Sequence, residues 1–264
     1  MACVGINYLC LFTKVLLLLR FFIELSYNGK AYHGWQIQPN AISVQEVVEK
    51  ALSTLLNTDI SIMGAGRTDA GVHALQLFAH FDFDGDFPGD IVFKLNSFLP
   101  NDIAIKSLFE VHGEAHARFH ALSRTYNYKV TTGKNVFNYD YTYTVKKVLD
   151  VALMNKACDI LLQYTNFQCF SKVHTDVKTY NCKLMKAQWA FEGDELVFTI
   201  QADRFLRNMV RAIVGTLISI GLGKLDLEQL HDIIKSKDRG EAGFSVPAHA
   251  LYLVNVDYPK SIKK

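Results

Sequence analysis

The apolar positions of the chain change period several times, and each change marks an element. Residues 20 to 27 form a nearly continuous apolar run that predicts a buried strand, ended by the turn residues Asn28, Gly29 and Lys30. Val44, Val47, Val48, Ala51, Leu52, Leu55 and Leu56 then recur at helical steps, and Ser43 with Glu46 three residues on supplies a capping box. From 75 to 83 the period drops to two. Leu75, Leu77, Ala79, Phe81 and Phe83 alternate with Gln76, Phe78, His80 and Asp82, which predicts a strand with one covered face.

A second series begins near Ser123, with a strand over 124 to 130, a helix over 150 to 163, and two strands, 183 to 191 and 195 to 202, joined by a tight turn at Gly193 and Asp194. A long apolar helix over about 205 to 220, a short helix capped by Asp226 and a last strand over 251 to 256 complete it. Strands and helices alternate in two comparable halves, 20–115 and 116–264, that meet near 113 to 122 without a low-complexity linker. The expected class is therefore α+β, with a cleft where loops of both halves meet. No internal repeat is detectable, so the likeness of the halves rests on element order alone.

Composition narrows the function. Half of the 264 residues are hydrophobic, enough for a substantial core. The formal net charge of +2 excludes a protein that grips nucleic acid through overall charge, so any RNA contact must use local patches. Cys3, Cys10, Cys158, Cys169 and Cys182 are odd in number and irregular in spacing, which argues against a disulfide framework and fits a reducing cytoplasm. Cys169, His174 and Cys182 lack the close ligand pair of a zinc site, and Asp82, Asp84 and Asp86 lack the remaining ligands of a calcium loop, so no metal is expected. Residues 1–19 contain the apolar run 15 to 19, but Lys14 interrupts it and Arg20 with a strand follows in place of a cleavage site. The run is short for a membrane span, and the segment is read as an N-terminal extension from a start codon assigned too early.

The stretch from Gly64 to His73 carries the chemistry. A dinucleotide fingerprint needs a third glycine where Asp69 stands, and no Gly-Lys-Ser or Gly-Lys-Thr follows, so phosphate-cradling nucleotide loops are excluded. What remains is a carboxylate among small residues at 64, 65, 66, 70 and 71, on a backbone able to turn sharply and lie close to a ligand. Arg67 adds a nearby cation and a planar fork suited to phosphate. An arginine and an aspartate that merely brace a turn would give the same triplet.

The full run Gly66-Arg67-Thr68-Asp69-Ala70-Gly71-Val72-His73 resembles the signature of the tRNA pseudouridine synthase A (TruA) family. Collinear matches extend the resemblance from residue 21 onward: Glu24 to Gly29, His33-Gly34-Trp35-Gln36, Ser43 to Glu46, Leu95-Asn96 with Leu99-Pro100, and His116 to Phe119. Later ones are Arg124 to Tyr128, Phe205 with Met209-Val210-Arg211, Ile213 to Gly215, and Leu251-Tyr252-Leu253 followed by Asp257-Tyr258-Pro259. Ala250 stands where the family usually has glycine, and the 168 to 182 segment departs from its pattern.

The resemblance implies two ferredoxin- or RRM-like halves forming a pseudouridine synthase fold, with a largely antiparallel sheet and a central active-site cleft. It implies that Asp69 is catalytic, breaking the glycosidic bond of a uridine whose base turns and rejoins the ribose through C5. Tyr126 would stack on the target base, although by itself a tyrosine there reads more readily as a core aromatic, and Tyr128 is expected to point to the strand's other side. Arg211 would pair with Asp69 and keep it charged; an arginine inside an apolar helix in any case calls for a partner. Arg67 would assist base extrusion or hold the flipped nucleotide's backbone. Arg118, Arg124, Arg204 and Arg207, with Lys172 and Lys178, are candidates for lining an RNA groove. The implied substrate is tRNA, at positions 38 to 40 on the 3′ side of the anticodon arm, and the implied assembly a cytoplasmic homodimer with no cofactor and no membrane association. Activity on another RNA and a non-catalytic tRNA-binding or folding module are the alternatives.

Overall fold

The computed structural model describes residues 18–173 and 177–264. The first half builds β1 (Leu19–Tyr27), α1 (Val44–Leu56), the two-residue β2 (Met63–Gly64), β3 (His73–Phe83), α2 (Ile91–Phe98) and β4 (Ile103–Val111). The second builds β5 (Ser123–Thr131), β6 (Tyr143–Thr144), α3 (Val151–Leu161), β7 (Leu184–Glu192), β8 (Glu195–Ala202), α4 (Met209–Gly221), α5 (Leu227–Ser236) and β9 (Leu251–Asp257). One sheet runs β4-β1-β3-β9-β5-β8-β7, with β2 added to β3 and β6 to β5. Its strand pairs are antiparallel except β3 with β9 and β5 with β6.

The order explains the likeness of the halves. In the first, β4-β1-β3-β2 places the strands 4-1-3-2; in the second, β9-β5-β8-β7 gives the same order. Each is thus a ferredoxin-like unit of two strand-helix-strand segments. The first unit's second strand is only two residues long, pairing Met63 with His80 and Gly64 with Ala79 near one end of β3. The other end of that edge, His73 and Ala74, is free to pair in parallel with Tyr252 and Leu253 of β9, and this short seam joins the halves. Leu253 also lies opposite Tyr126 of β5, so one residue of the terminal strand is in register with both halves.

Two apolar cores follow. Phe22, Ile23, Leu25, Val48, Leu52 and Leu77 lie in one, which also takes Leu253 and Val256 from the chain's last strand. Tyr128, Trp189, Phe198, Ile213 and Leu217 lie in the other, and Tyr126 packs against both. Ser43 caps α1 through Glu46 N, whereas the reciprocal capping box forms at Asp226 and Gln229 of α5.

The apolar run expected as a helix over 205 to 220 becomes helical only at Met209, because Asn208 adopts a left-handed backbone with φ of 66°. Asp82 is a strand residue held by Arg20 through Nε at 2.6 Å and Nη2 at 2.7 Å, not part of a calcium loop. Cys169 and Cys182 are free and buried, His174 lies outside the described residues, and no metal-binding cluster is present among the described ones. Most of the expected N-terminal extension, residues 1–17, also lies outside them. Among the described residues no helix is long and apolar enough to cross a membrane.

Candidate active site

The loop carrying Asp69 begins at the end of β2 and runs directly into β3, so it joins strand to strand. Close backbone packing fixes its path. Trp35 N donates to Thr68 O at 3.3 Å, Gly71 N to Tyr32 O at 3.3 Å, and Val72 N closes a turn onto Asp69 O at 3.1 Å. Gly34 has φ of 91°, and a β-carbon there would sit 2.3 Å from Thr68 O, so only glycine allows the two segments to lie together. The Thr68 hydroxyl bonds the buried Tyr27 hydroxyl at 2.8 Å. At the loop's far end His73 accepts from Gly29 N at Nδ1 (3.1 Å) and faces His249 O with Nε2 (3.0 Å). This arrangement suits a neutral imidazole, and burial lowers its proton affinity accordingly.

With its backbone held, the Asp69 side chain turns toward the second half. Arg211, in the first turn of α4, donates from Nη1 to Asp69 Oδ2 at 3.2 Å and from Nε to Val246 O at 2.7 Å. Both side chains of the ion pair keep partial solvent access, 21% for Arg211 and 29% for Asp69. The pair is thus shielded enough to hold its geometry and open enough for a substrate to reach the carboxylate. The 243 to 246 segment that seats Arg211 lies hard against α4. An added β-carbon at Gly215 would stand 1.8 Å from Phe244 O.

Tyr126 enters from β5 at a bulge, where β9 carries the extra residue Val254 between the partners of Thr125 and Tyr126. Phe205 meets the Tyr126 ring edge-on, centroids 5.2 Å apart. Burial pushes the Tyr126 hydroxyl up to about 12; Arg124 acts against that rise, and the negative charge of Asp69 adds to it. Tyr128 does not point away. A two-residue step keeps both tyrosines on one face, where Tyr128 is buried in the second core and donates to Pro247 O at 2.9 Å.

The expected arginines separate into two groups. Arg124 is not a free groove cation: Nη1 donates to Ala121 O (3.1 Å) and Asp203 O (2.7 Å), and Nη2 to Ala65 O (3.0 Å) and to Arg118 O. Four of its five N–H groups are thereby engaged with backbone carbonyls, one of them in the Asp69 loop. No sequence signal marks this, because the acceptors are main-chain atoms. Arg67, Arg118 and Arg207 are exposed and Arg204 half-buried, and none has a side-chain ion pair among the described residues. Arg67 and Arg118 flank one groove of about 210 Å³ beside the loop, together with Trp35, Met63, His116 and Phe119. Phe119 was not singled out as a functional residue; its 71% exposure beside that groove is the signal.

The arrangement offers a presented carboxylate, a guanidinium held against it, an aromatic ring behind and unpaired cations alongside. Comparisons with known proteins supply the family. A family model described as tRNA pseudouridine synthase matches residues 162–259. Proteins called tRNA pseudouridine synthase A are similar along almost the whole chain. That of Parabacteroides distasonis is 55% identical over 92% of this chain and 97% of its own, and that of Porphyromonas gingivalis 50% identical over 92% and 98%. The Caldicellulosiruptor bescii protein is 37% identical over 89% and 98%. With identity of this extent spanning both halves, and thus both partners of the Asp69–Arg211 pair, the chain belongs to the tRNA pseudouridine synthase A family.

Proposed function

We propose that the protein isomerises uridine to pseudouridine in tRNA, on the 3′ side of the anticodon arm, with Asp69 as the catalytic residue. The observation that carries the reading is the Asp69–Arg211 contact, in which a loop of one half meets a helix of the other. The reaction neither adds nor removes atoms. The bond from C1′ to N1 breaks, the base turns, C5 bonds to C1′, and the proton lost at C5 is balanced by one gained at N1. Asp69 serves either as nucleophile toward the sugar or as base, giving a covalent adduct or a glycal. Arg211 orients the carboxylate through Oδ2 and is itself oriented by Val246 O, so the acid is positioned before substrate arrives.

A paired uridine must leave the helix to reach Asp69, and Tyr126 supplies a π-face to receive it, a contact of about 1–3 kcal/mol per base. Arg67, exposed and next but one to Asp69, acts during extrusion. Arg204 and Arg207 follow the RNA backbone away from the site. The halves 20–115 and 116–264 form the two walls of the cleft, and the protein works in the cytoplasm as a homodimer. Light scattering on the purified protein checks the assembly.

The decisive experiment incubates purified protein with unmodified tRNA, maps pseudouridine, and repeats the assay with Asp69→Asn. Pseudouridine on the 3′ side of the anticodon arm from the parent, and none from the variant, is the expected result. No pseudouridine from the parent, or full activity in Asp69→Asn, would overturn the assignment.

A further inference from the structure

The groove beside the Asp69 loop does not include Tyr126 and contains an exposed aromatic ring. Phe119 is 71% exposed, yet the backbone that presents it is firmly held. His116 Nδ1 accepts from Arg118 N at 3.1 Å, His120 Nδ1 accepts from His116 N at 3.0 Å, and the Arg124 guanidinium binds the carbonyls of both Arg118 and Ala121. One side of the Phe119 ring rests on His116, centroids 4.3 Å apart. Across the groove stand Met63, 51% exposed, and the buried indole of Trp35. The Arg118 guanidinium lies over the Phe119 ring, 5.7 Å from its centre, where an arriving base would displace it toward the phosphates, and Arg67 borders the same groove.

A ring fixed by its backbone and backed on one side costs little entropy when a second flat group stacks on it. Two cations flanking a mainly apolar groove call for an anionic chain that also carries flat rings. We propose that this groove is a subsite for a second unstacked nucleotide, a chain neighbour of the target uridine, its base stacked on Phe119 and its phosphates met by Arg67 and Arg118. The inference rests on the functional reading above and adds a binding site to it. Extruding one base breaks stacking on both of its sides, and the Phe119 ring replaces part of what the neighbour loses.

The test measures affinity for unmodified tRNA in an Asp69→Asn background, so that turnover does not intervene. Phe119→Ala is expected to weaken binding about 5- to 150-fold, the range of one lost base–aromatic stack. Phe119→Trp should bind within about twofold of the parent, and Phe119→Leu should resemble Phe119→Ala. Arg118→Gln should lower the salt dependence by about one phosphate contact. Since Phe119 is largely exposed, each variant should keep the parent's melting temperature. Unchanged affinity in Phe119→Ala overturns the subsite. Equal binding by the Leu and Trp variants does so too, since it marks a plain apolar contact such as another protein would make. If the protein with Asp69 intact makes no pseudouridine the functional reading fails first; if it does and Phe119→Ala in the Asp69→Asn background binds normally, only the subsite fails.

Discussion

Gly215→Ala tests how the site is held, because two known effects act on it in opposite directions. Alanine has the higher helix propensity, which favours the substitution by about 1 kcal/mol. Against this, the new β-carbon would lie 1.8 Å from Phe244 O, and real β-carbons essentially never approach another heavy atom within 3.0 Å, so the 243 to 246 segment must retreat by at least the difference, 3.0 − 1.8 = 1.2 Å. It has no room to slide along the helix, since a β-carbon at Gly243 would already stand 2.6 Å from Thr216 N. Three bonds depend on the seat: Gly243 N to Thr216 Oγ1 (2.9 Å), Val246 N to Arg211 O (3.2 Å) and Arg211 Nε to Val246 O (2.7 Å). Overpacking of a tight contact costs about 1–3 kcal/mol, and each lost bond about 1 more, with the charged one higher. Sterics therefore win, by about 4–7 kcal/mol net.

Urea denaturation reads that loss directly, and single-turnover pseudouridine formation should fall further than the unfolded fraction explains, because Arg211 loses the carbonyl that aims it at Asp69. Gly221→Ala is the control in the same helix. Its new β-carbon meets Met154 Sδ at 2.5 Å and Cγ at 2.8 Å, atoms of an unbranched side chain that adjusts more readily than the backbone carbonyl facing Gly215. If Gly215→Ala proves as stable as Gly221→Ala and turns over normally, the claim that this packing seats Arg211 is wrong.

Arg211→Lys keeps the charge but cannot bridge Asp69 and Val246 at once, so the single-turnover rate should drop about 10- to 100-fold with tRNA affinity little changed; an equal loss in both would make Arg211 an RNA contact. Arg124→Met should lower stability by about 2–4 kcal/mol in urea and leave the salt dependence of tRNA binding unaltered, whereas a phosphate contact would reduce it. Stability should also fall as the pH drops from 6.5 to about 4. Burial, then His116 and Arg20, hold His80 down at about 4, so the folded protein resists a proton that the unfolded chain accepts near 6.5. The stability is complete above 6.5 and lost progressively below, by up to about 3 kcal/mol, and a flat urea midpoint across that window would refute it. Asp82, held low by Arg20, adds a further loss only below its ordinary range near 3.8.

Much of the fold was legible where one face of an element is buried and the other wet. The stripe of α1 shows this, with Val44, Val48, Ala51 and Leu52 buried. The expectation did not reach α2, where Phe93 is 69% exposed beside the buried Ile91 and Leu95, so the apolar residues wrap around the helix and blur its period. It did not reach β4 either. Ile103 and Ile105 are buried with Ala104 and Lys106 exposed, but residues 107 to 110 are half-covered on both sides, and Lys263 lies over the Phe109 ring. Such a strand loses its alternation because a distant part of the chain covers its outer face.

The site divides along the same line. Asp69 could be read because glycines and a charged triplet are local; an arginine in an apolar helix requires a partner, but only the family resemblance named Asp69 as the partner of Arg211. What joins them could not be read, since it is made of backbone. Leu253 is in register with both Ala74 and Tyr126, and the four carbonyls around Arg124 come from the Asp69 loop, the connection between the halves and the end of β8. Local sequence therefore specifies the candidate groups, while the parallel seam between β3 and β9 joins the halves that carry them. A substitution in β9 that slips its register by one residue would leave every candidate side chain in place in the sequence and separate Asp69 from Tyr126 in space.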